Sequence, residues 1–256
     1  MFISDRLKES LRPAALHLFL GLLAACALAT LLFFVWYPSP YDQFSGGRDL
    51  FVLLMGVDVI CGPLLTLLLY TRNKPKKLLV LDLSLVLLIQ IAAFTYGLHV
   101  AWQVRPVYLV AEYDRLKTIT NADMTEQDKQ SIQPALRSGF WDRPKIVGIR
   151  KPTSTAEKNK VMFESAQGGR DYGERPDFYI PYGAASAKIS LERGRRLADF
   201  LKLHPEFQTW AAGYAVRQNM NPDQIKYLPV MAREDWIAVL DDNGYVVEFL
   251  KGDGFQ

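Results

Sequence analysis

The sequence predicts a membrane protein in which three N-terminal transmembrane α-helices precede an α+β domain. Three apolar runs lie within the first 104 residues, and each is about as long as the roughly 20 residues that cross a bilayer. Only eight of the 30 Lys and Arg residues and six of the 27 Asp and Glu residues lie in that part of the chain. Residues 105–256 carry the other charges and mix strand-like with helix-like segments. We therefore expect a membrane domain over 1–104 and a second domain over 105–256.

The first predicted span covers residues 14–36 and follows a basic lead-in that contains three Lys and Arg residues. The Ala27-Leu28-Ala29 triplet resembles the cleavage site of a signal peptide. The apolar run nevertheless continues from Leu31 to Trp36, which a cleaved signal would not need. We interpret the segment as an uncleaved helix, with Trp36 and Tyr37 at the far membrane interface.

Topology follows from the loop between the second predicted span, 50–70, and the third, 78–100. Residues 71–77 contain four Lys and Arg residues and no acid, and short loops of that kind stay in the cytoplasm. The N-terminus is then also cytoplasmic, and the third span carries the chain outward. The sequence thus predicts a multi-pass protein of a bacterial inner membrane whose C-terminal domain, 105–256, is a periplasmic α+β domain.

Periodicities of two and of 3.6 residues predict the elements of the C-terminal domain. Thr125 is expected to cap a helix over 125–136, and Asn243-Gly244 to turn a hairpin between the last two strands. The segment 172–185, which is rich in proline and glycine, is predicted to be an exposed loop. The other predicted elements are strands at 106–110, 115–120, 145–149, 226–232, 236–241 and 245–251, and helices at 153–166, 190–204 and 205–220.

Neither the composition nor the motifs point to catalysis. The C-terminal domain has 22 basic and 21 acidic residues, a near balance that does not suggest nucleic-acid binding. Cys26 and Cys61 lie in apolar spans, which leaves the polar domain without a thiol for a disulfide or a zinc site. His17, His99 and His204 are scattered among different segments, and no G-x-S-x-G motif occurs. We predict no catalytic residue, no metal site and no cofactor.

Asp58 is the residue of the apolar spans that most needs an explanation. A carboxylate near the bilayer centre costs about 2.5–3.5 kcal/mol on insertion scales, so it should be protonated, hydrogen-bonded or turned toward another helix. Asp58 lies 12 residues before Tyr70, and Gln90 lies 12 residues after Leu78. At 1.5 Å of rise per residue, both are roughly 18 Å from the cytoplasmic face. We predict a hydrogen bond between Asp58 and Gln90 that joins the second and third helices.

The Gly62-Pro63 pair and Asp82 are the other unusual positions of these helices. Pro63 lacks a backbone N–H, so it is expected to bend the second helix. Asp82 lies only four residues into the third span, where its carboxylate can reach the basic loop. The predicted ion-pair partners of Asp82 are Lys76, Lys77 and Arg72.

Two roles are open for these polar residues. They can fasten the three helices to one another, and an average interhelical hydrogen bond contributes about 0.6 kcal/mol. Alternatively, they can bind a further transmembrane helix. Proton transport has less support, because three spans with one deep acid do not form a convincing relay.

The segments GVDVICGPLLTLLLY (56–70), LLVLDLSLVLLIQIAAFTYGLHVAWQVRPVYLV (78–110) and EYDRLKTITNADM (112–124) carry a pattern of single residues rather than a catalytic signature. Its positions are Gly56, Asp58, Gly62, Pro63, Thr66, Lys77, Asp82, Gln90, Tyr96, Gly97, Arg105, Pro106, Asp114 and Arg115. This pattern resembles the TfpX/TfpZ family of type IV pilin accessory proteins, and the resemblance extends more weakly into 227–249.

The resemblance implies a non-enzymatic inner-membrane accessory or chaperone protein that assists type IV pilin assembly into pili and supports twitching motility. Its implied partners are the cognate major pilin, inner-membrane lipids and pilus assembly platform proteins, with no nucleic acid. A pilin of this kind has an apolar N-terminal helix in the membrane and a globular head outside. The candidate residues for pilin binding or for interhelical contacts are Asp58, Gly62, Pro63, Asp82, Gln90 and Arg105.

Two other functions are alternatives. A membrane enzyme that modifies pilin or envelope glycans would need a cluster of acids or a metal site on the C-terminal domain, and the sequence pattern indicates none. A ligand-sensing membrane receptor would need a closed pocket in the same domain.

Overall fold

The computed structural model describes residues 2–71, 74–218 and 220–256, with the side chains of 2–7 outside the description. The chain divides into two compact units. The helical unit comprises the chain up to Asp42 together with Gly46–Val104, and the sheet domain comprises Gln43–Ser45 and Arg105–Gln256. Three long apolar helices followed by a mixed sheet with helices confirm the predicted membrane-anchored α+β fold class.

In the described part of the helical unit, three helices are long and apolar enough to cross a membrane, at Lys8–Trp36, Gly47–Leu69 and Lys76–Val104. The third helix continues about four residues beyond the predicted end and stops just before Arg105-Pro106. Pro106 disfavours helical geometry at the residue before it, Arg105. The elements are α1 (Phe2–Leu31, continued as a π-helix over Leu32–Trp36), α2 (Tyr41–Phe44), α3 (Gly47–Leu69) and α4 (Lys76–Val104).

Aromatic side chains form the apolar core of the helical unit at the end of α1 that contains Trp36. The Trp36 and Trp102 rings meet edge to face with their centroids 5.2 Å apart. The Tyr37 hydroxyl donates a hydrogen bond to the backbone oxygen of Ala101 at 2.5 Å, and Met55 of α3 completes the cluster. We call this end of the unit the Trp36 end and the opposite end, where α4 begins at Lys76, the Lys76 end.

The described residues of the sheet domain form eight strands in one mixed sheet, in the order β4-β3-β1-β2-β6-β7-β8, with the short β5 paired to β6. The β1–β3 and β2–β6 pairs are parallel, and the others are antiparallel. The strands are β1 (Pro106–Ala111), β2 (Leu116–Thr120), β3 (Lys145–Ile149), β4 (Tyr179–Pro181), β5 (Arg195–Arg196), β6 (Lys226–Met231), β7 (Trp236–Leu240) and β8 (Val246–Lys251).

Five helices join these strands and cover two apolar clusters. One cluster gathers around Leu197, Phe200 and Ile237, and the other around Tyr108, Val147 and Tyr179. Phe44, from the link between α1 and α3, also belongs to this domain and packs edge to face on Trp236 and Phe249. The helices are α5 (Glu126–Ser131), α6 (Thr155–Ala166), α7 (Ala184–Arg193), α8 (Leu197–Leu203) and α9 (Gln208–Gln218).

The six predicted strands and the Asn243-Gly244 turn are confirmed, but the helix predicted over 125–136 is too long. Thr125 does cap α5, and its hydroxyl accepts a hydrogen bond from the backbone N–H of Asp128. The helix ends at Ser131 because Pro134 restricts the residue before it, and a 3-10 turn follows over Pro134–Leu136.

The segment 172–185 is not the exposed loop that its prolines and glycines suggested. It contains β4 and two 3-10 turns, and both Phe178 and Tyr179 are buried. The single helix predicted over 190–204 is also wrong, since it divides at Gly194 into α7, β5 and α8. The Gly194 N–H donates the last helical hydrogen bond of α7, to the oxygen of Ser190. The next two residues, Arg195 and Arg196, then pair with β6.

Candidate functional site

A group of polar and small residues from all three long helices meets inside the apolar helical unit. We call His17 of α1, Asp58, Gly62 and Thr66 of α3, and Gln90 of α4 the polar junction. The His17 Nδ1 and Thr66 Oγ1 atoms are 2.7 Å apart and form a hydrogen bond between α1 and α3. Thr66 is 4% exposed, so this bond lies within the packed part of the unit.

Gly62 lets the three helices approach at this junction. A Cβ atom at position 62 would collide with Gln90 Nε2 of α4 and come within 2.9 Å of His17 Nε2 of α1. Glycine is therefore required by space rather than by backbone conformation, as at small residues where membrane helices pack closely. Pro63 follows it, half-buried, and α3 continues through the proline to Leu69.

Gln90 and Asp58 are in contact, but the acceptor differs from the one expected. The Gln90 amide Nε2 donates to the backbone oxygen of Asp58 at 3.3 Å, not to its carboxylate. Pro63 lacks the N–H that would bond to the Val59 oxygen, and the glutamine amide adds its bond at the preceding residue, Asp58. The other amide atom, Gln90 Oε1, is buried and has no hydrogen-bond partner among the residues that the structure describes.

Asp82 forms its ion pair with Lys74. Lys74 was not among the expected partners, although it belongs to the same basic loop. Lys76 and Lys77 begin α4 and are exposed, and Arg72 lies outside the described residues. Lys74 precedes the first residue of α4, and its side chain extends along α4 to Asp82, which is eight residues later in the sequence.

Arg105, the sixth candidate residue, belongs to the sheet domain rather than to the polar junction. Its side chain is 2% exposed, and its guanidinium group holds the loop that precedes β3. The NH1 group donates to the Phe140 oxygen at 3.1 Å, and the NH2 group donates to the Gly139 oxygen at 2.8 Å and to Ser138 Oγ at 3.2 Å. Arg105 therefore has a structural role in this domain.

The polar junction can offer hydrogen bonds within a unit whose outer surface is apolar. Leu53, Val57 and Ile60 of α3 and Leu85 and Leu88 of α4 are each more than half exposed. Such faces contact lipid or another apolar helix in a membrane. Among the described residues, no group of three or more His, Cys, Asp and Glu side chains is arranged to hold a metal ion.

The sheet domain has its own polar network beside the end of β1. Glu112 is 8% exposed, and its Oε1 accepts the backbone N–H of Gly173 at 2.9 Å. Burial, followed by repulsion from Asp171, raises the pKa of the Glu112 carboxyl above its usual value. Nearby, Lys117 Nζ pairs with Glu174 at 2.8 Å. These contacts fasten the segment after α6 to the sheet.

An open groove of about 740 Å³ lies next to this network. The Tyr113 and Tyr172 rings meet at right angles on its wall, with centroids 6.1 Å apart, and Met162 of α6 adds apolar surface. Lys151 and Lys158 supply positive charge at the rim. The groove can therefore accept an extended segment that carries both apolar and acidic side chains.

Sequence reasoning missed His17 and treated Thr66 only as part of the family pattern. The depth argument placed Asp58 and Gln90 at one height, but it was not applied to α1. Polar residues that face each other across antiparallel spans were the available signal: His17 lies three residues after Ala14, where the first predicted span begins, and Thr66 lies four residues before Tyr70, where the second ends.

Comparison with known proteins identifies the family. Residues 5–46 match the family model described as fimbrial assembly protein FimB. The fimbrial assembly protein of serogroup I from Dichelobacter nodosus is 31% identical over 245 residues, which cover 95% of this chain and 95% of that protein. The chain belongs to the fimbrial assembly protein family. Another family member, from serogroups C1 and C2 of the same organism, is 42% identical over 111 residues, which cover 43% of this chain and 85% of that protein.

The match to the serogroup I protein covers nearly all of both chains, so it includes most of the helical unit and of the sheet domain. A third relative, from serogroup E1, has the same 31% identity over 245 residues. No solved structure is significantly similar to the chain.

Proposed function

We propose that this member of the fimbrial assembly protein family is a non-enzymatic accessory protein of the TfpX/TfpZ type, which assists a type IV pilin during pilus assembly and supports twitching motility. In this proposal it resides in the inner membrane with a cytoplasmic N-terminus, and its sheet domain is periplasmic. The family membership supports a role in pilus biogenesis. The basic loop after α3 supports the orientation.

The observation that carries the proposal is the polar junction within an apolar three-helix unit. Gln90 Oε1 is buried and without a partner in the described part of the chain, which leaves one acceptor for a donor on an incoming helix once α3 and α4 move apart. The exposed apolar faces of α3 and α4 would pack on the pilin helix where lipid packs in its absence. The helical unit thus binds the pilin helix transiently, before the pilin is incorporated into a pilus.

Asp58 and Asp82 have different parts in this proposal. Asp82 lies near the Lys76 end and is paired with Lys74, so it is placed to exchange that cation for the charged amino terminus of a pilin helix. Asp58 lies deeper and would offer its carboxylate to a polar group within that helix. The exchange at Asp82 replaces one partner by another, and the contact at Asp58 would give its carboxylate a hydrogen-bond donor; each limits the cost of a charge in the membrane.

The sheet domain is proposed to receive the globular head of the pilin. The groove between Tyr113, Tyr172 and Met162 offers the apolar wall, and Lys151 and Lys158 offer charges that complement an acidic segment. A photocrosslinker at Lys158, compared with one at the exposed Lys188 of α7, tests this part. Pilin adducts at both positions or at neither would contradict a role for the groove.

Asparagine substitutions test the role of the two acids. We expect Asp58→Asn and Asp82→Asn each to reduce crosslinking of pilin to the helical unit and to reduce the number of surface pili, with the protein level unchanged. Asp49→Asn, in the first turn of α3, is the matched control and should leave both unchanged. Wild-type crosslinking and piliation in both test variants would remove these acids from the mechanism.

A further inference from the structure

Two adjacent aromatic residues protrude from the loop between α5 and β3. Trp141 is 73% exposed and Phe140 is 43% exposed. Their rings meet edge to face with centroids 4.8 Å apart. We call this pair the aromatic tip. Two adjacent exposed aromatic rings present a contiguous apolar surface, and such a surface is typical of a place where a protein contacts something else.

The loop that carries the aromatic tip is held in a defined shape. Asp142 Oδ2 accepts the backbone N–H of Gly139 at 3.0 Å and pairs with Lys145 Nζ at 3.0 Å. The bond from Gly139, followed by that from Lys145, lowers the pKa of the Asp142 carboxyl, so the acid stays charged and the turn stays closed. The aromatic tip is therefore presented without further ordering of the backbone.

Arg105 links this loop to the place where the chain leaves α4. The guanidinium group of Arg105 bonds to the backbone oxygens of Gly139 and Phe140. Arg105 follows directly on Val104, the last residue of the third apolar helix. The base of the aromatic tip is thus within the length of one arginine side chain of the chain's exit from a helix that can cross the membrane.

We propose that the aromatic tip is a membrane-interface anchor, with Phe140 and Trp141 inserted among the lipid headgroups where α4 ends. Trp and other aromatic side chains are enriched at this depth because one part of the ring system is apolar while its edge can remain hydrated. The occupant of this surface is the bilayer itself, and the inference does not depend on a pilin. It also gives Arg105 a positioning role, since the arginine holds the loop at that level.

The test measures the depth of the aromatic tip in a bilayer. The full-length protein, with Cys26→Ala and Cys61→Ala, carries Trp141→Cys labelled with the fluorophore NBD and is reconstituted in vesicles of phosphatidylethanolamine and phosphatidylglycerol. Val216→Cys, at a side chain that is 82% exposed in α9, is the matched control. We expect NBD at position 141 to lose emission as lipid with a doxyl quencher near the headgroup is added, and NBD at position 216 to keep it.

Two results would overturn the proposal. One is equal quenching at positions 141 and 216, and the other is emission at position 141 that is insensitive to the doxyl lipid. Circular dichroism of each labelled protein confirms that the fold is retained, so that a null result counts against the anchor. Arg105→Lys is a second variant: a lysine cannot reproduce the two-pronged contact, so the quenching at position 141 should fall.

Discussion

Gly62 is a residue on which the packing of the three long helices depends. Its missing side chain makes room for Gln90 of α4 and for His17 of α1 at the same point. Gly56, two turns earlier in the same helix, has open space around it, with nothing within 4 Å of a Cβ atom built there. These two glycines form a natural test and control within one helix.

We expect Gly62→Ala to destabilise the helical unit by about 1–3 kcal/mol, the usual cost of forcing a side chain into a packed site. Gly56→Ala should leave the stability unchanged or slightly higher, since alanine is the better helix former. Thermal unfolding of both variants in one detergent measures the difference. If both substitutions lower the melting temperature equally, the steric account of the polar junction is wrong.

Glu112 provides a pH-dependent prediction at the scale of one residue. Its folded-state pKa is raised, chiefly by burial, so its contribution to stability is present below the unfolded pKa and is lost as pH rises through the folded one. Glu112→Gln removes the buried charge while an amide oxygen can still accept the Gly173 N–H. We expect the variant to be at least as stable as wild type at pH 7.

The difference between these two proteins should shrink as the pH falls through the raised pKa of Glu112. Urea unfolding of the sheet domain in the full-length protein, followed from pH 7 to pH 4, measures this difference directly. Other carboxyls with lowered pKa values, such as Asp128 and Asp142, cancel because both proteins contain them. A stability advantage of the variant that grows in acid would contradict the assignment.

At the scale of elements, the β7–β8 hairpin depends on Gly244. This residue has a φ of 88°, and a Cβ atom there would collide with the backbone oxygen of Ala187 in α7. Gly168 has a similar φ of 80° but open space around it. Substituting each glycine therefore distinguishes the two effects: a side chain at position 168 would meet backbone strain alone, and one at position 244 would meet both strain and a steric collision.

We expect Gly168→Ala to cost about 1 kcal/mol through strain alone. Gly244→Ala should cost more, about 2–3 kcal/mol, because α7 and the turn must also move apart. Chemical denaturation of the full-length protein compares the two variants. Equal losses would mean that the hairpin and α7 are not packed as described.

Local signals predicted most elements of the sheet domain but not their ends. The continuous apolar segments around Tyr108 and Ile237 form strands that are buried along their whole length and contribute to the two core clusters. Pro134 and Gly194 were visible in the sequence, yet each stops a helix that the periodicity alone would continue. The burial of Gly173 and Phe178 could not be foreseen, since this segment is held by Glu112 and Lys117, which are distant in sequence.

At the scale of the whole molecule, the distribution of charge along the chain was enough to predict three spanning helices and one polar domain. The contact between Asp58 and Gln90 was predicted from their equal depth, which can be counted because the rise per residue is fixed in a helix. Rotation about the helix axis is not fixed in that way, so the count could not tell that Gln90 meets the backbone of Asp58 rather than its carboxylate. Nor could it identify His17 as a third contributor.

Reporter fusions test the proposed orientation of the molecule. Alkaline phosphatase folds only outside the cytoplasm, so a fusion after Gln256 should be active and one within the basic loop near Lys77 inactive. A green fluorescent protein that folds only in the cytoplasm should give the reverse pattern at the same two positions. An active phosphatase near Lys77 together with a fluorescent protein after Gln256 would show the inverted topology, with the sheet domain in the cytoplasm.

The central claim is that the helical unit holds the membrane helix of a pilin, and in-cell photocrosslinking tests it most directly. A photoreactive residue is placed in turn at Leu53, Val57 and Ile60 of α3 and at Leu85 and Leu88 of α4. Each variant is tested in cells with and without the cognate major pilin. The account predicts adducts with the mass of pilin on at least one of these exposed faces, lost when the pilin is deleted and reduced by Asp82→Asn. Adducts that are the same with and without pilin at every position would contradict it.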